Sequence, residues 1–222
     1  MVHQIIKSKY SLFAETMILT LLILIIGFAL GMLVEYARTK SISDDYNEFE
    51  VTALDLKLQN YYYQIMDEAS CDKALEQNLI FADQIYDTGL LLEKYEDANE
   101  LSESILIEKK KYVLLKTELW LNSVLLREKC KGKFHTVVYF YTQYEDLIKR
   151  AEQKSISDIL GKLKKEKGNN IILIPIAGDL GLDIVNFQKN IYNITYLPSI
   201  LLDEKTLLEG FHSVEELEKY LK

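Results

Sequence analysis

An uncharged apolar run near the N-terminus constrains this chain more than any other feature. Met17–Val34 is 18 residues long, and Thr20 is its one polar side chain. As a helix the run would extend about 27 Å, close to the thickness of the hydrocarbon core of a bilayer. The apolar part of a cleaved signal peptide is usually shorter. We therefore expect an uncleaved membrane anchor, even though Ala29-Leu30-Gly31 resembles a cleavage site.

The orientation of the anchor depends on few charges. Lys7 and Lys9 precede the apolar run, and Arg38 and Lys40 follow it. Because these counts are equal, the free N-terminal amine tips the positive-inside rule toward a cytoplasmic N-terminus. The remaining chain is then expected on the extracytoplasmic face of the cell membrane.

Two glycines inside the run offer a helix contact face. Gly27 and Gly31 form a G-x-x-x-G pair, a pattern that dimerises some membrane helices. Small residues are also common in such helices by chance. The pair therefore allows a homodimer without requiring one.

Charge is distributed unevenly along the chain, which holds 26 basic and 34 acidic side chains. Residues 1–40 account for four basic and two acidic ones, which leaves 22 basic against 32 acidic side chains, a net charge of −10, on the remainder. So acidic a surface is repelled by phosphate backbones, and we do not expect nucleic-acid binding. His3, His135 and His212 are scattered, so no metal site or cofactor is predicted.

Residues 41–130 are predicted to be helical. They contain no proline, and Gly89 is their one glycine. Ser, Asp and Asn positions mark helix starts and turns. The three predicted helices run from Ser41 or Ser43 to about Glu68, from Ser70 to a turn at 97–100, and from about Leu101 to Lys129.

The two cysteines indicate how the second and third helices pair. Cys71 and Cys130 lie at equal distances from the predicted turn, as partners in an antiparallel hairpin do. We therefore predict a Cys71–Cys130 disulfide, which indicates an oxidising compartment. The alternatives are two unpaired thiols or a reactive Cys71 at a helix start. The same register sets Leu75 opposite Leu126, Leu79 opposite Asn122, Ala82 opposite Leu119, Tyr86 opposite Leu115 and Gly89 opposite Tyr112.

The hydrophobic periodicity changes after residue 131. β-Branched and aromatic residues at Thr136–Tyr141 indicate a buried strand. The helix that follows is predicted to bury one face, formed by Leu147, Ala151, Ile159 and Leu163. The predicted elements are strands at 136–141 and 171–176, helices at about 144–167 and 183–191, a β-hairpin at 199–209, and a last helix with a Ser213/Glu216 capping box.

This order, β-α-β-α-β-β-α, carries two further segments that match a known pattern. Tyr192–Leu202 leads through a proline into a strand, and Gly210 precedes the capped helix at Ser213. In these segments and in their order, residues 134–222 resemble the thioredoxin-like superfamily.

The resemblance implies a site as well as a fold. It implies a cis peptide bond before Pro198 and a shallow groove that takes an extended peptide, lined by Tyr144, Leu197 and Pro198. The family carries a Cys-x-x-Cys pair after its first strand. Here that place holds Thr142-Gln143-Tyr144-Glu145, and thiol–disulfide exchange requires a thiolate that none of these residues can supply.

The sequence therefore predicts an α+β protein in three parts. These are residues 1–40 with a single transmembrane helix, an antiparallel helical hairpin region at 41–130, and a thioredoxin-like α/β domain at 131–222. Because the dithiol is missing, the first hypothesis is a redox-inactive module that binds or scaffolds a peptide or protein at the membrane. The alternatives are a thiol–disulfide oxidoreductase that uses Cys71 and Cys130, and an envelope assembly or sensor subunit that acts through its membrane helix.

Overall fold

The computed structural model describes residues 9–65, 71–96, 103–131, 134–144 and 146–221. The fold is mixed α+β, and the described elements after residue 134 keep the predicted order β-α-β-α-β-β-α. The helices are α1 (Lys9–Ile65), α2 (Cys71–Glu96), α3 (Glu103–Cys130), α4 (Leu147–Lys167), α5 (Asp183–Ile191) and α6 (Val214–Glu218). The strands are β1 (His135–Tyr141), β2 (Ile171–Ala177), β3 (Ser199–Leu202) and β4 (Thr206–Glu209).

The first helix, α1, contains the apolar run. Its segment Phe13–Ala37 is long and apolar enough to cross a membrane, and it is the one such segment among the residues that the structure describes. The side of the membrane on which the rest of the chain lies stays a prediction. Because α1 continues to Ile65, the predicted helix start at Ser41 or Ser43 is wrong. No proline or glycine between Met32 and Ile65 interrupts the helix.

The helices α2 and α3 form an antiparallel hairpin whose open end is closed by a disulfide. Cys71 begins α2 and Cys130 ends α3, and their Cα atoms lie 5.5 Å apart. The predicted disulfide is therefore confirmed. The register that the cysteines predicted also holds further along the hairpin, because the Asn78 side-chain amide donates to the Ser123 hydroxyl at 3.0 Å.

The face that α2 buries differs from the prediction by one residue. Gly89 does lie against Tyr112, so that a Cβ at position 89 would collide with the phenol oxygen, which donates to the Ile85 carbonyl at 2.8 Å. Tyr86, however, is 57% exposed, so its predicted place in the seam is wrong. The polar Asn78 occupies the core by pairing with α3, which an apolar pattern does not reveal. The buried side chains of α2 are Ala74, Asn78, Phe81 and Ile85.

The described strands form one mixed sheet in the order β2-β1-β3-β4. β1 is parallel to β2, with Val138 opposite Ile174, and antiparallel to β3, with Val138 opposite Leu201. β3 and β4 form the predicted hairpin, and Leu202 pairs with Thr206, so the turn consists of Asp203, Glu204 and Lys205. Of these, Asp203 and Glu204 are the two with left-handed backbones, at φ angles of 50° and 57°, although neither is glycine.

One face of the sheet is covered by α4 and α6. The predicted burial of Leu147 and Ala151 is wrong, because both are exposed. α4 begins at Leu147, with Asp146 as its N-cap, so its first turn lies outside the core. The core on this face contains Val137, Tyr139, Ile156, Leu160, Leu163, Ile171, Ile200, Leu202, Leu217 and Leu221.

The other face of the sheet is covered by α3. Trp120 is fully buried there, with its ring edge-on to Phe140 at 5.7 Å between centroids and 5.5 Å from the Tyr192 ring. The chain forms two compact units, Met1–Asp45 and Tyr46–Lys222, and the second holds the α2–α3 hairpin together with the sheet. The predicted division into separate domains at residue 131 stays a prediction.

Candidate functional site

The carboxyl ends of β1 and β2 bring two loops side by side, because the ends of parallel strands lie at the same edge of a sheet. Tyr141 ends β1 opposite Ala177, which ends β2. The Gly178 amide then donates to the Tyr141 carbonyl at 2.8 Å. The loop Thr142–Tyr144 at this edge is the place where the thioredoxin-like resemblance would put the dithiol.

The Asp179 carboxylate holds this loop. It accepts a hydrogen bond from the backbone N–H of Gln143, at 2.8 Å to Oδ1 and 3.0 Å to Oδ2, and one from the backbone N–H of Tyr144 at 3.1 Å. The Thr142 hydroxyl also donates to it. Three donors on one carboxylate fix the backbone of the loop, because hydrogen bonds to an ionised acceptor are stronger than neutral ones. Sequence reasoning missed Asp179, and its place directly after an apolar strand was the one available signal.

Gln153 of α4 holds the loop from the helix side. Its side-chain carbonyl accepts from the Thr142 amide at 2.7 Å, and its side-chain amide donates to the Thr142 carbonyl at 3.0 Å. Gln153 is buried, so these bonds satisfy polar groups that water does not reach. The loop is therefore held by hydrogen bonds to Asp179 and Gln153.

The segment before β3 lies beside the two loops. The Leu197–Pro198 peptide bond is cis, as the resemblance implied. A Cβ on Gly178 would lie 3.0 Å from Leu197 Cδ1, so the glycine permits the close approach of Leu197. The Ser199 hydroxyl donates to the Tyr196 carbonyl at 2.6 Å. Pro198 is buried and Leu197 half-buried, so Leu197 supplies the side-chain surface at this point.

Large apolar side chains around these loops are exposed. Leu147 and Ile148 are each 82% exposed, Tyr144 is 56% exposed and Tyr196 is 42% exposed. The Lys149 ammonium lies 5.3 Å from the Tyr196 ring centroid and so links α4 to the segment before β3. Sequence reasoning placed Leu147 in the core and did not single out Ile148. We name the apical surface for the side chains of Tyr144, Leu147, Ile148, Tyr196 and Leu197.

A cluster of charges lies at the opposite, amino end of β1. Arg127 of α3 donates to Asp203 Oδ1 and to the Thr136 hydroxyl, each at 2.7 Å. It also pairs with the Glu204 carboxylate, which accepts from the Trp120 indole N–H at 2.6 Å. These contacts hold the left-handed turn of Asp203 and Glu204 against α3. We name these five residues, together with His135, the basal cluster.

The carboxylates of the basal cluster also face two titratable rings. His135 Nδ1 lies 2.6 Å from Asp203 Oδ2. Burial raises the pKa of Tyr192, the Glu204 charge raises it further, and the Arg127 charge opposes them. Every carboxylate of this cluster thus has a partner inside the chain, and its arrangement serves packing.

The remaining predicted site residues lie elsewhere. Gly27 and Gly31 lie in the apolar segment of α1, and no atom lies within 4 Å of a Cβ built on either, so the dimer face stays a prediction. Cys71 and Cys130 are half-buried. Among the residues that the structure describes, no group of His, Cys, Asp and Glu could hold a metal ion.

Similarity to known proteins does not identify a family for this chain. No protein-family model matches the sequence, and no curated protein matches it. The described part of the chain is an α+β fold with one candidate membrane span and a disulfide-linked helical hairpin beside a four-stranded mixed sheet.

Proposed function

We propose that this chain is a membrane-anchored, redox-inactive thioredoxin-like protein that binds an extended segment of a peptide or protein at the apical surface. The observation that carries the proposal is the loop Thr142–Tyr144. Asp179 and Gln153 hold this loop, at whose position the resemblance implies a dithiol, and the exposed apolar side chains Leu147 and Ile148 follow it closely in the chain. A rigid loop without a nucleophile suits recognition better than electron transfer.

The composition of the apical surface supports binding. Tyr144 and Tyr196 are aromatic, and residues of this type dominate the energetics of protein interfaces. Leu147 and Ile148 project from the first turn of α4 and contribute nothing to the core. Exposed apolar side chains are unfavourable in water, and a partner that covers them recovers about 25 cal/mol per Å².

The backbone beside the surface supports an extended ligand. No described residue donates to the Leu197 carbonyl or accepts from its amide. Such groups can pair with the main chain of an added strand, while neighbouring pockets select its side chains. The groove that the resemblance implied, lined by Tyr144, Leu197 and Pro198, is part of this proposal.

Three features support the thioredoxin-like interpretation. β1 and β2 are parallel, β3 and β4 form an antiparallel hairpin, and α4 and α6 share one face of the sheet. The disulfide and the candidate membrane span support an extracytoplasmic location, because disulfides persist in oxidising compartments.

Selection from a library of displayed random peptides tests the proposal on the full-length chain in detergent. The test variant is Tyr144→Ala with Leu147→Ser. The matched control is Phe187→Ala with Ile191→Ser, which removes one aromatic and one aliphatic side chain, 60% and 53% exposed, from α5. We expect peptides that bind the native chain and the control but not the test variant. No enrichment, or equal binding to both variants, would contradict the proposal.

A second candidate is a thiol–disulfide oxidoreductase that uses Cys71 and Cys130. Both residues are half-buried, and Cys71 begins α2, where the helix N-terminus favours a thiolate. The reduction potential of the pair decides between the candidates. A value below roughly −300 mV indicates a structural disulfide, whereas a much higher one, together with reduction of insulin by the protein, would favour the enzyme.

A further inference from the structure

A row of apolar side chains on α1 is exposed outside the apolar segment. Val51, Leu54, Leu58 and Tyr61 are 68%, 61%, 65% and 53% exposed. Their spacing of three, four and three residues is the a/d pattern of a coiled coil, in which each such side chain inserts between side chains of a facing helix. We name these four residues the α1 seam.

The α1 seam is exposed among the residues that the structure describes. Lys57, which flanks it, interacts electrostatically with Glu118 of α3, whose pKa burial raises and the Lys57 charge lowers. The four seam side chains nevertheless keep more than half of their surface in water. The seam is therefore accessible to a partner from outside the chain.

The membrane anchor indicates which partner fits. Only 13 residues separate Ala37, at the end of the apolar segment, from Val51, at the start of the seam. All copies enter the membrane in the same orientation, so this short connection makes their seams parallel and in register. Confinement of two seams near one membrane raises their effective concentration. That compensates for a seam of only two heptads, which is short for a coiled coil in solution.

We propose that the α1 seam pairs with the α1 seam of a second copy of this chain, in a parallel coiled coil next to the membrane. The proposal rests on the membrane anchoring in the proposed function and is independent of the apical surface.

Photocrosslinking of the full-length chain in membranes tests the proposal. Two versions with different epitope tags are co-expressed, each with a photoreactive amino acid at position 54. The test background is Leu58→Asp, which sets two negative charges against each other across the seam. The matched control is Ile80→Asp, the same kind of change at a 44% exposed position of α2. A third background carries Gly27→Leu and Gly31→Leu, which blocks the glycine face.

We expect a crosslinked band with both tags in the native and Ile80→Asp backgrounds, and no such band with Leu58→Asp. The glycine variant should retain it. Absence of the band from the native chain, its persistence with Leu58→Asp, its loss in the glycine background alone, or crosslinking to a different protein would each overturn the proposal. Circular dichroism and an intact Cys71–Cys130 disulfide confirm that each variant folds.

A carbonate wash of the membranes separates this proposal from the anchoring on which it rests. A chain that the wash releases contradicts the anchoring in the proposed function. A chain that stays in the membrane without forming the two-tag band contradicts the seam alone.

Discussion

The two ends of the sheet are built from similar polar chemistry and differ in what they expose. At the amino end of β1, Arg127 pairs with two carboxylates, and the adjacent Trp120 is fully buried. At the carboxyl end, Asp179 and Gln153 satisfy the loop Thr142–Tyr144 just as fully. Yet the apical surface beside that loop leaves its side chains in water.

The two ends therefore differ in role: the basal cluster stabilises the fold, whereas the apical surface is exposed to solvent. The basal cluster connects α3 to the β3–β4 turn, so it contributes to folding directly. Exposed Leu147 and Ile148 contribute nothing to folding, which is why we assign the apical surface to a partner. Removal of basal contacts should therefore cost stability, whereas changes on the apical surface should cost binding.

The largest effect is expected from the disulfide. Replacement of Cys71 and Cys130 by serine should lower the free energy of unfolding by about 4 kcal/mol, since the bond closes a loop of about 60 residues. Denaturant unfolding of the full-length chain in detergent, followed by the fluorescence of Trp120, measures it. Cys130 lies one turn beyond Arg127. Amide hydrogen exchange should thus become faster at the Asp203–Glu204 turn. An equal increase at the loop Thr142–Tyr144 would contradict the claim that the disulfide supports the basal end of the sheet more than the apical end.

Arg127→Ala should destabilise the protein by about 3 kcal/mol, because it leaves two largely buried carboxylates without their cation. It also removes the main support of a turn in which Asp203 and Glu204 both have left-handed backbones. The same unfolding experiment measures this cost. Lys154→Ala, at an exposed basic residue of α4, is the matched control and should change stability by less than about 0.5 kcal/mol. Equal costs for the two variants would show that the basal cluster does not stabilise the fold.

Asp179→Ala should cost about 2 kcal/mol, because the amides of Gln143 and Tyr144 and the Thr142 hydroxyl lose a charged acceptor. Faster hydrogen exchange at those two amides is the specific readout. Leu147→Ser, at an 82% exposed neighbour, should leave stability within about 0.5 kcal/mol. If Leu147→Ser proved as costly as Asp179→Ala, the apical surface would belong to the core.

The smallest effect is expected in the alkaline titration of Tyr192. Burial and the charge of Glu204 raise its pKa, so the folded chain holds this proton more tightly than the unfolded chain does. Its contribution to stability is complete below the ordinary tyrosine pKa of about 10 and is lost as the pH rises through the raised value. The difference in tyrosinate absorbance between the native chain and Tyr192→Phe should therefore develop above pH 10. A Tyr192 pKa at or below 10 would contradict the effect that we assign to burial and to the Glu204 charge.

Local patterns in the sequence predicted the elements well. The apolar run, the strand at 136–141 and the order of elements after residue 134 depend on neighbouring residues alone. The capping box is confirmed too, with Ser213 and Glu216 exchanging hydrogen bonds of 3.1 and 3.3 Å. The two cysteines predicted the register of the hairpin because a disulfide permits only a narrow range of Cα separations.

Which face a helix buries was harder to predict. The seam of α2 was displaced by one residue, and the first turn of α4 was assigned to the core although Leu147 is exposed. Both errors have the same origin. A helix with apolar residues on several sides is oriented by the surface that it meets, and that surface comes from distant parts of the chain.

The sequence by itself determined the apolar segment that is long enough to span a membrane, the paired cysteines and the types of the elements. Each of these depends on side chains that lie close together in the chain or on their spacing. Only the tertiary structure decided that Asp179 holds the loop after β1 and that Arg127 reaches Asp203. Those contacts join residues 36 and 76 positions apart. Hydrogen bonds at such separations form only once packing has placed the elements, so no local sequence pattern predicts them.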